Sequence, residues 1–237
     1  MSKFNFFGLV VIIGLMLTSC AKSPESDTAK VEDAKEVQEV ATATSFDISK
    51  DLSEVTWIGT KPTGQHNGTF GITEGSISVE GGNIVGGKFV INLQEIAVID
   101  LQEDSVSEGK LVGHLQSPDF FDVANHPSAM FEITSVSAYE AAGETSEEES
   151  EHKISDPTHT IEGNLTLRGN TLSISFPAKV DMADGSVKAE AKFNIDRTKW
   201  GVSYNEESGF EGKAKDGLIY NTVNVGFNIT AKAKEAA

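Results

Sequence analysis

Apolar and polar residues alternate with a period of two along most of the chain, the pattern of strands that bury one face. Val55 and Trp57 mark the first strand. Phe70 and Ile72 continue the pattern, and Ile77 and Val79 resume it after a phase break at Glu74-Gly75 that predicts a bulge or bend. Phe89, Ile91 and Leu93 follow the break at Gly86-Gly87, and Phe131 and Ile133 mark a fourth strand. Ile161, Leu165 and Leu167 lead into a hairpin turn at Arg168-Gly169-Asn170-Thr171, from which Leu172, Ile174, Phe176, Ala178 and Val180 return. Val187 to Ile195 and Val223 to Ala231 complete about eight strands. One core face and one wet face per strand suits an all-β fold, either a closed antiparallel barrel or a sandwich, and long strands joined by tight hairpins favour an eight-stranded antiparallel barrel. Such an interior is just filled by side chains, or holds one apolar ligand.

Residues 105–127 break the alternation. Leu111, Val112 and Leu115 have helical spacing with Ser107 as N-cap, and Ser117-Pro118-Asp119 has the cap, proline and acid that start a second helix. The expectation is a short helical segment over about 105–122, placed between strands.

The N-terminus changes the picture of where the chain works. Lys3 precedes an apolar run from Phe4 to Leu17, too short to span a bilayer and ending in Leu17-Thr18-Ser19-Cys20. Residues 1–19 read as a lipoprotein-type signal peptide, with Cys20, the single cysteine, as the lipid-anchored first residue of the mature chain. Residues 20–45 lack aromatics and, beyond Ser45, the barrel domain runs over 46–235; composition makes the intervening stretch a flexible tether. The acidic run 143–151 reads as a solvated loop. A net charge of −17 disfavours nucleic acid, which needs clustered Lys and Arg. The expected location is the cell envelope, on the periplasmic face or the outer-membrane surface, and homodimerisation is left open.

Three motifs carry a resemblance. Gly113-His114-Leu115-Gln116-Ser117-Pro118-Asp119-Phe120-Phe121-Asp122-Val123 with His126-Pro127 and Met130-Phe131, Ile161 to Gly169, and Asn194-Ile195-Asp196-Arg197-Thr198-Lys199-Trp200-Gly201-Val202 together resemble the YceI-like family, in the family's order, over about Phe46 to Ala233. The resemblance implies a lipocalin-like fold, an extended eight-stranded antiparallel barrel capped by a helix, and binding of a long isoprenoid or similar lipid along its axis. The acidic run is longer than the family's usual turn.

Candidate chemistry divides by class. His114, Asp119, Asp122 and His126 would serve a metal-dependent or acid/base enzyme, but Pro118 interrupts the helix between the first two. Helix-start and turn roles explain the carboxylates and His126. No nucleophile elbow, phosphate loop or dinucleotide fingerprint is present, so no cofactor or metal is called for, and binding is favoured over catalysis. For a carrier, the mouth candidates are Gly64-Gln65-His66-Asn67-Gly68 and the segment around His114. Phe120 and Phe121 read as anchors of the plug, either able to line a cavity; Trp57 and Trp200 share that ambiguity. Phe176, Phe193 and Phe227 belong to inward faces that either wall a cavity or fill a core. Arg168 would clamp an anionic head group or stand solvated in its turn. The alternative to a carrier is a non-catalytic surface lipoprotein acting as an adaptor.

Overall fold

The computed structural model describes residues 22–38, 40–141, 150–209 and 217–234. Cys20, most of the acidic run and the signal segment lie outside them. Among the described residues ten strands form one sheet: β1 (Lys30–Asp33), β2 (Thr44–Ile48), β3 (Glu54–Lys61), β4 (Gly64–Glu80), β5 (Asn83–Val98), β6 (Ser128–Ala138), β7 (His159–Leu167), β8 (Asn170–Ala183), β9 (Ser186–Asp196) and β10 (Thr222–Ala233). Strands β3 to β10 pair in sequence order, and β10 returns to β3, closing an eight-stranded antiparallel barrel. The expected fold class is what the chain adopts.

The two extra strands mend gaps in the ring. β2 continues the line of β3 between β10 and β4, interrupted by a 3-10 turn at Lys50–Leu52. There the buried Ser53 hydroxyl donates to the Thr230 carbonyl (3.3 Å) and accepts from its N–H (3.0 Å), replacing the ladder bonds that the turn removes. The expected break at Glu74-Gly75 is absorbed as register shifts inside the continuous β4, between Phe70 and Glu74.

The second gap is larger. β8 and β9 pair only from Lys179/Glu190 to the hairpin at Ala183/Ser186. Beyond that point the strands part, and β1 enters, antiparallel to β8 from Ser175 to Leu172, while Thr28 bridges Asn194 of β9 in parallel. Ala29 and Val31 face the core and Lys30 and Glu32 face out, so this short piece obeys the barrel's own period. Residues 22–35 are therefore a docked strap rather than the flexible tether that composition suggests. Their backbone groups find partners on edges that β8 and β9 leave unpaired, and this tertiary pairing overrides the polar composition.

Two outward-pointing asparagines hold the strap. Asn194 donates to the Pro24 carbonyl (2.9 Å) and accepts from Asn224 (3.0 Å). Asn164 of β7 accepts from the Lys35 N–H (2.9 Å) and donates to the Lys35 carbonyl (2.7 Å). Lys35 also pairs with Glu162 and Glu32, and Ser23 reaches Thr60 Oγ1 (3.3 Å) and the Thr222 carbonyl (3.4 Å).

The one α-helix among the described residues, α1 (Ser105–Gln116), follows β5 and a 3-10 turn at Ile99–Leu101. Its N-cap is Asp104, whose carboxylate accepts from Ser107 N–H (3.1 Å) and hydroxyl (2.7 Å), so the cap lies three residues before the expected Ser107. The expected second helix is absent. The Ser117 hydroxyl turns back to the His114 carbonyl (2.7 Å), Phe121 N–H to the Leu115 carbonyl (3.0 Å), and Asp122 takes a positive φ of 50°. Residues 117–126 are thus a compact series of turns. No helix among the described residues is long and apolar enough to cross a membrane.

Candidate functional site

Inward positions at one end of the barrel keep free surface. On β10 the ordinary relation is inverted: outward Asn224 is buried beneath the strap and the 150–154 loop, while inward Val223 and Val225 are half-exposed. Both line a cavity that offers about 140 Å³ to the centres of water-sized molecules. Trp57, Phe70, Leu93 and Leu165 form its walls, Phe227 its floor, and Leu115, Phe120 and Phe121 its cap. The free surface of the lining is entirely apolar, so the space suits a hydrocarbon chain and offers no group to orient a charge inside.

The cap is fastened by polar contacts at its edge. Phe121 sits edge-on to Phe70 at 5.6 Å. The His114 ring stands perpendicular to Phe120 (4.9 Å) and Tyr204 (4.8 Å), and its Nε2 lies 3.2 Å from Asp119 Oδ2. Arg168, at φ 51° in the β7–β8 turn, donates from one guanidinium nitrogen to the Phe120 carbonyl (2.5 Å) and the Gly201 carbonyl (3.1 Å). Rather than standing free in its turn, Arg168 ties the cap to the β9–β10 connection. His66, in β4 rather than in a loop, lies 2.7 Å from Asp100 Oδ2, whose other oxygen accepts the Asn67 N–H (2.9 Å). Burial alone would push the Asp100 carboxyl up, but the Asn67 N–H and the His66 ring together hold it below its ordinary value.

The expected site residues therefore separate. Trp57, Phe120, Phe121 and Phe227 border the cavity, and Phe120 and Phe121 do so together. Phe176 lines a smaller void of about 30 Å³ deeper in the barrel, and Phe193 stacks on it at 4.1 Å. Trp200 is fully buried in the wall, its indole donating to the Leu165 carbonyl (2.9 Å). His66, His114 and Arg168 brace the rim from outside the cavity lining. Asp122 accepts from the Asn125 side chain and His126 stands against Gly169, so the four residues of the enzyme reading are not brought together.

Arg197 was not singled out as a site residue, although it lies inside one of the quoted motifs. It borders the cavity yet is 5% exposed, and its guanidinium donates to four carbonyls: Tyr220 (3.2 Å), Val202 (2.6 Å), Tyr204 (3.0 Å) and Ile219 (3.0 Å). Burial lowers its pKa from the free value, countered by Glu206, Asp196 and Glu207. Its apolar stem faces the cavity while its head organises the rim, a division of labour that long cationic side chains allow. An arginine flanked by Asp196 and Trp200 near a strand end was the only signal for it.

The family model of the YceI-like domain matches residues 37–231. The chain belongs to the YceI-like family. Among solved structures, the YceI-like barrel described above is similar to Burkholderia cenocepacia BcnA, with a TM-score of 0.56 and 14% identity over 78% of this chain and 100% of that one. It is also similar to a polyisoprenoid binding domain from Saccharophagus degradans implicated in plant cell wall breakdown, with a TM-score of 0.54 and 15% identity over 81% and 99% of the two chains. At those identities the likeness concerns the fold. No curated protein sequence matches the chain.

Proposed function

We propose that this YceI-like protein is a carrier that holds one apolar, isoprenoid-type chain in the capped cavity and works on a membrane through an acylated Cys20. The observation that carries the reading is a partly open cavity with a wholly apolar free lining beneath an aromatic cap. The polyisoprenoid binding domain among its structural relatives supports the ligand class. Burial of each methylene favours binding by about 0.8 kcal/mol, which needs no covalent chemistry. His114, Asp119, Asp122 and His126 serve turns and braces, which favours binding over catalysis.

The strap supports the envelope reading. Ser23 bonds at Thr60 and Thr222, where β3 ends and β10 begins, beside the cavity rim. Cys20 precedes Ser23 by three residues in the sequence, a short reach for a chain that covers at most about 3.6 Å per residue. An anchored chain would hold the cavity mouth next to the lipid from which its cargo comes.

Solvent extraction of the purified protein followed by mass spectrometry is the direct test, with a co-purifying apolar lipid as the expected result. A Trp200→Phe variant leaves Trp57 as the one indole, on the cavity wall, and its emission should change when a prenyl alcohol is added. No lipid, no emission change and no rise in melting temperature with added prenols would together refute the carrier reading. Cys20→Ala should release the protein from salt-washed membranes; retention there would refute the anchor.

A further inference from the structure

Five phenylalanines cross the barrel below the cavity. Phe89 (β5), Phe131 (β6), Phe176 (β8), Phe193 (β9) and Phe227 (β10) are all buried. Phe227 is their hub, with ring centroids 5.3 Å from Phe89, Phe131 and Phe193 and 5.6 Å from Phe176. Three of these contacts are near-perpendicular, at 82–89°, the edge-to-face geometry that aromatic pairs favour. Phe227 borders both the 140 Å³ cavity above and the 30 Å³ void below. The two spaces are separated by this one layer of rings.

We infer that the phenylalanine layer centred on Phe227 is a chain-length stop, which limits the ligand to an apolar chain of about ten to fifteen carbons. The inference rests on the carrier reading and specifies its cargo. From Val223 at the rim to Phe227 on the floor, β10 advances four residues, about 13 Å along the strand and about 10 Å along the axis of a barrel whose strands tilt. A cavity of this size holds on the order of ten waters, about 300 Å³ of liquid. Depth and volume agree on two to three prenyl units, after which a longer chain meets packed rings. The small void beyond them shows where extra length would go if the layer were thinned: removal of the Phe227 ring joins the two spaces along the axis.

The test is a length series of prenyl alcohols with 5, 10, 15 and 20 carbons, displacing a fluorescent apolar probe from the delipidated protein. Each methylene seated in the cavity raises affinity about fourfold, so the wild type should gain steeply to about fifteen carbons and change less than about threefold from fifteen to twenty. Phe227→Leu keeps an apolar strand residue and should move the break to twenty carbons; Phe227→Ala should do the same where its melt shows a folded barrel. A wild-type affinity that climbs steeply through twenty carbons would overturn the stop. So would a break that stays in place in folded Phe227→Leu. Failure of every alcohol to displace the probe would instead overturn the carrier reading, and the stop with it.

Discussion

Asn194→Ala separates a structural strap from a loosely laid tail. The Asn194 side chain is 6% exposed and makes two bonds, to the Pro24 carbonyl and from the Asn224 amide. Truncation leaves the buried Pro24 carbonyl without this partner, at a cost of about 1–3 kcal/mol, and forfeits a second bond of about 0.5–1.5 kcal/mol. Asn224 keeps its contact with the His152 carbonyl (3.2 Å), which limits the second loss. The expected destabilisation is about 2–4 kcal/mol, or roughly 4–16 °C in melting temperature for a domain of this size. Urea melts of the mature chain measure the total, and hydrogen exchange locates it. Residues 26–33 should lose protection first, while the β4–β5 pair retains its own. A variant with an unchanged urea midpoint and unchanged protection in 26–33 would refute the claim that the strap completes the wall.

Three further outcomes follow from other contacts. Gly68→Ala should destabilise by about 3 kcal/mol or more, because a Cβ there falls 1.9 Å from the Ala97 carbonyl oxygen and 2.8 Å from the Trp57 ring; an unaltered urea midpoint would contradict this packing. Arg197→Lys should cost about 2–4 kcal/mol, since an ammonium cannot serve four carbonyls held by one guanidinium, and should expose the segment after Val202 to protease; equal melts and equal cleavage would show the fork to be dispensable. The Asp100 carboxyl titrates below its unfolded value, so its stabilising effect is present above about pH 4 and is lost as pH falls through the folded value. The melting advantage over Asp100→Asn should therefore shrink as pH falls below about 4, and a gap that stays constant as the solution is acidified would count against the His66–Asp100–Asn67 contact.

The barrel was legible because each long strand repeats its inward residues many times, as Leu172 to Val180 do, and one slip would expose the whole set. β1 was not, because only Val31 within it and Ala29 just before it face inward beside Lys30, Glu32 and Asp33, and its partners lie far along the chain. Asn164 and Asn194 sit at outward positions where polar residues are ordinary, and only the docked strap turns them into buried clamps. At the cap, Ser117-Pro118-Asp119 carries a real start signal, but Asp122 reverses the chain before a turn of helix can form. The aromatic residues named on the cavity wall were found by parity within strands. Which of them would border free space was not, because Phe193 and Phe227 share the same sequence pattern and differ only in what lies above them.

The place of β1 in the seam also sets an order of assembly. Its pairing partners in β8 lie about 140 residues later in the chain, and loop closure over that separation is slow compared with hairpin formation. A chain that emerges N-terminus first must therefore wait for β8 and β9 before its strap has anywhere to dock. Until then both strands present unpaired edges, the exposed templates on which chains join one another. The same short segment that finishes the wall is the last shield against self-association during folding.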